Sequence, residues 1–104
     1  MSAGSELLVV GTFRIRAETI EAARPEMERM IAASRAEEGC LGYNYAFDLT
    51  DETLVHVIER WRDRAALEAH FASAHLLHWR ARFAELGITD RRLIALVSSG
   101  AEPV

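Results

Sequence analysis

From Leu7 to Arg16 the chain alternates. Leu7, Val9, Gly11, Phe13 and Ile15 fall on one side, and Leu8, Val10, Thr12, Arg14 and Arg16 on the other. A period of two predicts a strand buried on one face, whose second face turns polar toward its C-terminal end. Gly11 in its middle implies a bulge or a close approach by another group. From Ile20 to Glu37 the period lengthens to that of a helix. Ile20, Ala23, Met27, Met30, Ile31 and Ser34 form one stripe, with Glu21, Glu26, Glu28, Arg29 and Arg35 away from it. Thr19 is placed to cap this helix. Pro25 implies a kinked first turn or a later start, and Gly39 suits the left-handed residue that ends a helix.

The period of two returns at Leu41, Tyr43, Tyr45 and Phe47, alternating with Gly42, Asn44, Ala46 and Asp48, and again from Leu54 to Trp61. The polar link Asp48–Thr53 makes these strands an antiparallel hairpin. Asp63 is a cap for the next helix, on which Leu67, His70, Phe71 and Ala74 share a face. Ser73 interrupts it. A second segment carries Leu76, Trp79, Phe83 and Leu86 as a stripe, Gly87 stops it, and Arg92–Ser98 is a last strand. The order β-α-β-β-α-β predicts an α+β, ferredoxin-like antiparallel sheet with both helices on one face. The other face then needs cover, so a homodimer packed sheet to sheet is expected. Residues 1–6 and 99–104 are expected to be tails around a single domain at 7–98.

A chain of 104 residues holds one core. Its formal charge of −4 argues against nucleic acid as a partner. Arg14, Arg16, Arg60, Arg62 and Arg64 are interleaved with acids and read as an ion-paired surface. No apolar run reaches the ~20 residues of a membrane span. The N-terminus lacks the features of a signal peptide, and the single cysteine, Cys40, fits a reducing cytoplasm.

Among the side chains that could carry chemistry, Tyr43, Tyr45 and Phe47 are candidates either for packing or for lining a cavity. Asn44 points away from the tyrosines and could hydrogen-bond a ligand. Glu59 and Trp61 share a strand face, and a carboxylate there must find a partner. His70, on an apolar stripe, is either a satisfied core histidine or a base tuned near neutrality. His75 could approach the same space, whereas His56 and His78 look peripheral. His75 and His78 are spaced to share a metal, but no further ligand completes a set, so no metal is expected. Cys40 has no histidine partner in sequence. No glycine-rich phosphate loop or dinucleotide fingerprint exists, so no cofactor has a sequence basis.

The segments Glu37-Glu38-Gly39-Cys40-Leu41-Gly42-Tyr43, Glu59-Arg60-Trp61 and Ala69-His70-Phe71-Ala72-Ser73-Ala74-His75 resemble the antibiotic biosynthesis monooxygenase (ABM) domain family, which includes quinol monooxygenase-like proteins. The resemblance runs from about Leu7 to Val97. It implies a dimeric α+β barrel, a small hydroxylated aromatic (quinol or polyketide-like) and molecular oxygen as reactants, and no metal, flavin or haem. Glu59, Trp61, His70, Ser73 and His75 match residues that recur in the family. On this reading His70 is the base, Glu59 orients it, and Trp61, Tyr43, Asn44 and His75 hold the substrate. A non-catalytic small-molecule binding or regulatory dimer is the alternative. Haem breakdown fits less well, because Val10-Gly11-Thr12-Phe13 lacks the asparagine of haem-degrading relatives. The family's usual prolines are also replaced, by Glu38 and Ala74.

Overall fold

The computed structural model describes residues 5–104. Strand β1 spans Leu7–Arg14 and, after a 3-10 turn at Ala17–Thr19, helix α1 spans Ile20–Arg35. Strands β2 (Cys40–Asp48) and β3 (Asp51–Trp61) form the hairpin. The second helical region is three pieces, α2 (Arg64–Phe71), α3 (Ala74–Ala81) and α4 (Phe83–Leu86), and β4 (Thr89–Val97) closes the chain. All pairings are antiparallel, in the order β2-β3-β1-β4. The fold is thus α+β and ferredoxin-like. The core lies between the helices and the sheet face bearing Leu7, Val9, Phe13, Tyr43, Val55, Val57 and Trp61.

Local chemistry sets several of these boundaries. The Asp63 carboxylate accepts from the Ala66 amide at 2.9 Å and starts α2. The Ser73 hydroxyl accepts from the Leu76 amide at 3.4 Å and starts α3, while left-handed Gly87 ends α4. A Cβ on Gly11 would stand 1.9 Å from the Arg92 carbonyl oxygen. β1 and β4 therefore crowd each other there, and their register shifts between Thr12 and Arg14.

Other expectations need correction. Pro25 neither delays α1 nor starts it, because the helix begins five residues earlier, at Ile20. Thr19 occupies the N-cap position without capping an amide; its hydroxyl donates instead to the Arg16 and Leu86 carbonyls. α1 stops at Arg35, before Glu37, and Gly39 takes its left-handed conformation (φ 86°) in the turn beyond. The β2–β3 register skips at Leu41, turning that side chain to solvent rather than along the aromatic face. Phe71 is 44% exposed, and Ala66 holds the core place expected of it. Of the expected N-terminal tail, residues 1–4 lie outside the described residues. Glu6 is tied to the sheet, its carbonyl accepting from the Ser98 amide at 2.8 Å. On the sheet face away from the helices, Leu8, Val10, Ile58, Ile94 and Leu96 lie at adjoining register positions, the last three of them exposed.

Candidate functional site

β4 extends the sheet beyond the cover of the helices, so its inner face and the edges of α2 and α3 enclose a cleft of about 320 Å³. That lies at the small end of the ~300–1,000 Å³ typical of ligand sites. Tyr43 and Tyr45 of β2, Glu59 of β3 and His70 of α2 contribute its polar groups, among apolar walls that include Val9, Leu67, Trp79 and Phe83. A hydrogen-bonded line runs through it. Trp79 Nε1 donates to the Tyr45 hydroxyl at 3.2 Å, which lies 3.5 Å from the Tyr43 hydroxyl.

His70 is 1% exposed. Its Nδ1 lies 2.6 Å from Glu37 Oε2, the same oxygen that meets His75 Nε2 at 2.6 Å. Glu37 reaches both because α1 has already ended, leaving its side chain free of the helix. His70 Nε2 has no hydrogen-bond partner among the described residues, and no sealed side-chain nitrogen or oxygen among them lacks one. Nε2 is therefore the ring atom that keeps contact with open space. Burial holds the imidazole below its ordinary pKa, opposed by the Glu37 hydrogen bond and charge. The ring is thus neutral at pH 7. An Nδ1–H directed at a carboxylate leaves Nε2 as the proton acceptor.

Burial also shifts the remaining acids of the cleft toward their neutral forms. Burial raises Glu59, with the Trp61 hydrogen bond pulling the other way. Burial likewise raises the phenols of Tyr43 and Tyr45.

Several site residues stand elsewhere than expected. Glu59 does not hold His70; its carboxylate accepts from Trp61 Nε1 at 3.0 Å, and Glu37 is the residue on the imidazole. Trp61 is fully buried behind the cleft, its ring 4.6 Å from that of His70 and 6.3 Å from that of Tyr43, and it lines no wall. Asn44 is exposed and accepts from Arg35 at 3.0 Å, on the side of β2 away from the cleft. His75 borders a groove between α1 and α3, not the cleft. Glu37 was invisible in the sequence as a partner, since 33 and 38 residues separate it from the two histidines. Tyr45 lines the cleft, as one of the two readings of the aromatic strand expected, whereas Arg64, Arg80 and Arg91, which also line it, were hidden because they converge from separate elements.

Glu37, His70 and His75 are also the groups that could hold a divalent ion, their ligand atoms lying within 4.8 Å of one another. Contacts of 2.6 Å are those of one carboxylate oxygen shared by two imidazoles, so hydrogen bonding alone accounts for this cluster. Cys40 is half-buried, and burial raises its thiol pKa, the opposite of what a reactive thiolate needs. No helix among the described residues is long and apolar enough to cross a membrane.

Known proteins share both the sequence and the fold. "Putative monooxygenase Rv0793" of Mycobacterium tuberculosis is 35% identical over 82 residues, 79% of this chain and 80% of that protein. The crystal structure of PA3566 from Pseudomonas aeruginosa superposes with a TM-score of 0.82 at 30% identity, covering 96% of this chain and 100% of that one. A Deinococcus radiodurans structure, 24% identical, shares the fold with a TM-score of 0.88 over 94% of this chain and 97% of its own. The family model for antibiotic biosynthesis monooxygenase matches residues 7–82. The chain belongs to the antibiotic biosynthesis monooxygenase family.

Proposed function

We propose that the protein is a monooxygenase that oxidises a small hydroxylated aromatic with molecular oxygen, without a metal or organic cofactor, using His70 as the base. The observation that carries this reading is His70 itself: a neutral imidazole fixed through Nδ1 by Glu37, with Nε2 free at a cleft bounded by aromatic rings. Nε2 takes the phenolic proton. The electron-rich anion passes one electron to oxygen, and the two radicals combine to form a carbon–peroxide bond. The imidazolium returns its proton to the peroxide, and loss of water across the carbon–hydrogen and oxygen–oxygen bonds leaves a ring carbonyl, so one oxygen atom enters the product and the other leaves as water. Burial shifts Glu59, Tyr43 and Tyr45 toward their uncharged forms, which limits the negative charge set against the anion, and the hydroxyls of the tyrosines are donors for it. Oxygen uptake with simple quinols tests the reading. Binding of a quinol without uptake favours the alternative of a non-catalytic binding protein.

The active unit in this proposal is a homodimer. A sheet face with Ile58, Ile94 and Leu96 at 49%, 60% and 46% exposure is covered most simply by its own copy. Sedimentation of the wild type and of Ile58→Asp should give a dimer and a monomer, and a monomeric wild type would refute it.

A further inference from the structure

All twelve basic residues of this acidic chain are arginines. Arg14, Arg16, Arg24, Arg60, Arg62 and Arg82 each have a carboxylate within 4.0 Å. Arg35 is occupied by the Tyr43 carbonyl and the Asn44 side chain. Among the described residues five others, Arg29, Arg64, Arg80, Arg91 and Arg92, have no carboxylate within that distance, although the chain carries sixteen acids, and of these Arg64, Arg80 and Arg91 converge. These three come from α2, α3 and β4, and all of them line the same cleft. Arg80 lies over the Phe71 ring, 5.9 Å from its centroid. The only carboxylate among the lining residues is Glu59, which forms no ion pair among the described residues and which burial pushes toward its neutral form against the pull of the Trp61 hydrogen bond and the Arg91 charge. An apolar hollow therefore opens through a cationic rim that the protein itself does not neutralise.

We propose that the cleft selects an aromatic substrate bearing a carboxylate, with the ring system against the aromatic walls and the anion received by Arg64, Arg80 and Arg91. This rests on the oxygenase reading for the fate of the substrate, but not for its binding. A guanidinium presents paired N–H donors in a plane that matches a carboxylate. A neutral quinol would leave all three unused. The net charge of −4 gives the molecule no general attraction for anions, so any preference must arise at this rim.

Calorimetric titration with hydroxynaphthoate and naphthol, which differ by one carboxylate, tests this at pH 7 and low salt. Hydroxynaphthoate should bind at least about tenfold more tightly, as charge-assisted bonds require. The triple variant Arg64→Gln, Arg80→Gln, Arg91→Gln should lose that advantage and bind naphthol as the wild type does. All three side chains are exposed and lack a carboxylate partner, so the fold should survive, as circular dichroism would show. Added salt should erode the wild-type preference independently of any variant. Equal affinities, or a preference the triple variant retains, would overturn the proposal. If naphthol is nevertheless oxidised, the oxygenase reading stands without it. Failure of both ligands to bind would overturn the carboxylate preference and the cleft as the site together.

Discussion

The molecule pairs an imidazole with a carboxylate in two places, and the surroundings make them different devices. His56 and Asp48 meet at 2.8 Å on neighbouring strands near the hairpin, where the histidine side chain is 44% exposed. There the hydrogen bonds from His56 and Thr50 draw Asp48 down to about 2, and water screens what remains. His70 and Glu37 meet at 2.6 Å, with the histidine side chain 2% exposed. Here burial outweighs the attraction of the carboxylate, and the ring stays neutral. One pair fastens a turn. The other keeps a base ready.

The contrast breaks most easily by removing each imidazole. His70→Ala should lower oxygen uptake with a quinol by about a hundredfold or more, the usual worth of general base catalysis, while quinol binding changes little. His56→Ala should leave uptake within a factor of about two, consistent with an exposed pair of small energetic weight. Equal losses in the two variants would show that both act through stability. Next comes the carboxylate. Glu37→Ala leaves two imidazoles without their acceptor and should cost about 1–3 kcal/mol in urea unfolding. It also removes the group that raises the His70 pKa, so the acid limb of the pH–rate profile should move to lower pH. A limb that stays put would exclude His70 as the titrating group.

The two pairs should also separate along the pH axis. The folded-state pKa of His70 is lowered, so the unfolded chain binds the extra proton first. Its contribution is intact above the unfolded value of ~6.5 and is lost as pH falls through and below it. Asp48 is depressed to about 2, so its contribution is complete above the unfolded carboxylate value and disappears as pH falls toward 2. Denaturant midpoints against pH should thus lose the upper sloping region in a His70 variant and the lower one in Asp48→Asn. The smallest effect belongs to Asn44→Ala, which should leave ligand affinity unchanged because the side chain faces away from the cleft. A weakened affinity there would relocate the site.

What could be read in advance was what repeats. Strand and helix periods marked the four strands, α1 and α2, but not the 3-10 turn or the break between α3 and α4, and Asp63, Ser73 and Gly87 marked helix boundaries, because each acts on residues within one turn of itself. His70 stood out as a polar residue on an apolar stripe. Its partner did not, because choosing between Glu37 and Glu59 depends on how far the turn after α1 carries a side chain, which no period records. Leu41 misled for a related reason: one skipped register position reverses the face without changing the local alternation. Arg64 looked like its paired neighbours Arg60 and Arg62, and only the tertiary arrangement separates them.

The interruption at Ser73 reaches beyond the end of one helix. Five positions on an uninterrupted helix would set two side chains about 140° apart around the axis, too far for His70 and His75 to share one oxygen. The break rephases the second segment and lets a single acid clasp both. A substitution that let α2 run on into α3 would uncouple the base from its anchor without altering either residue.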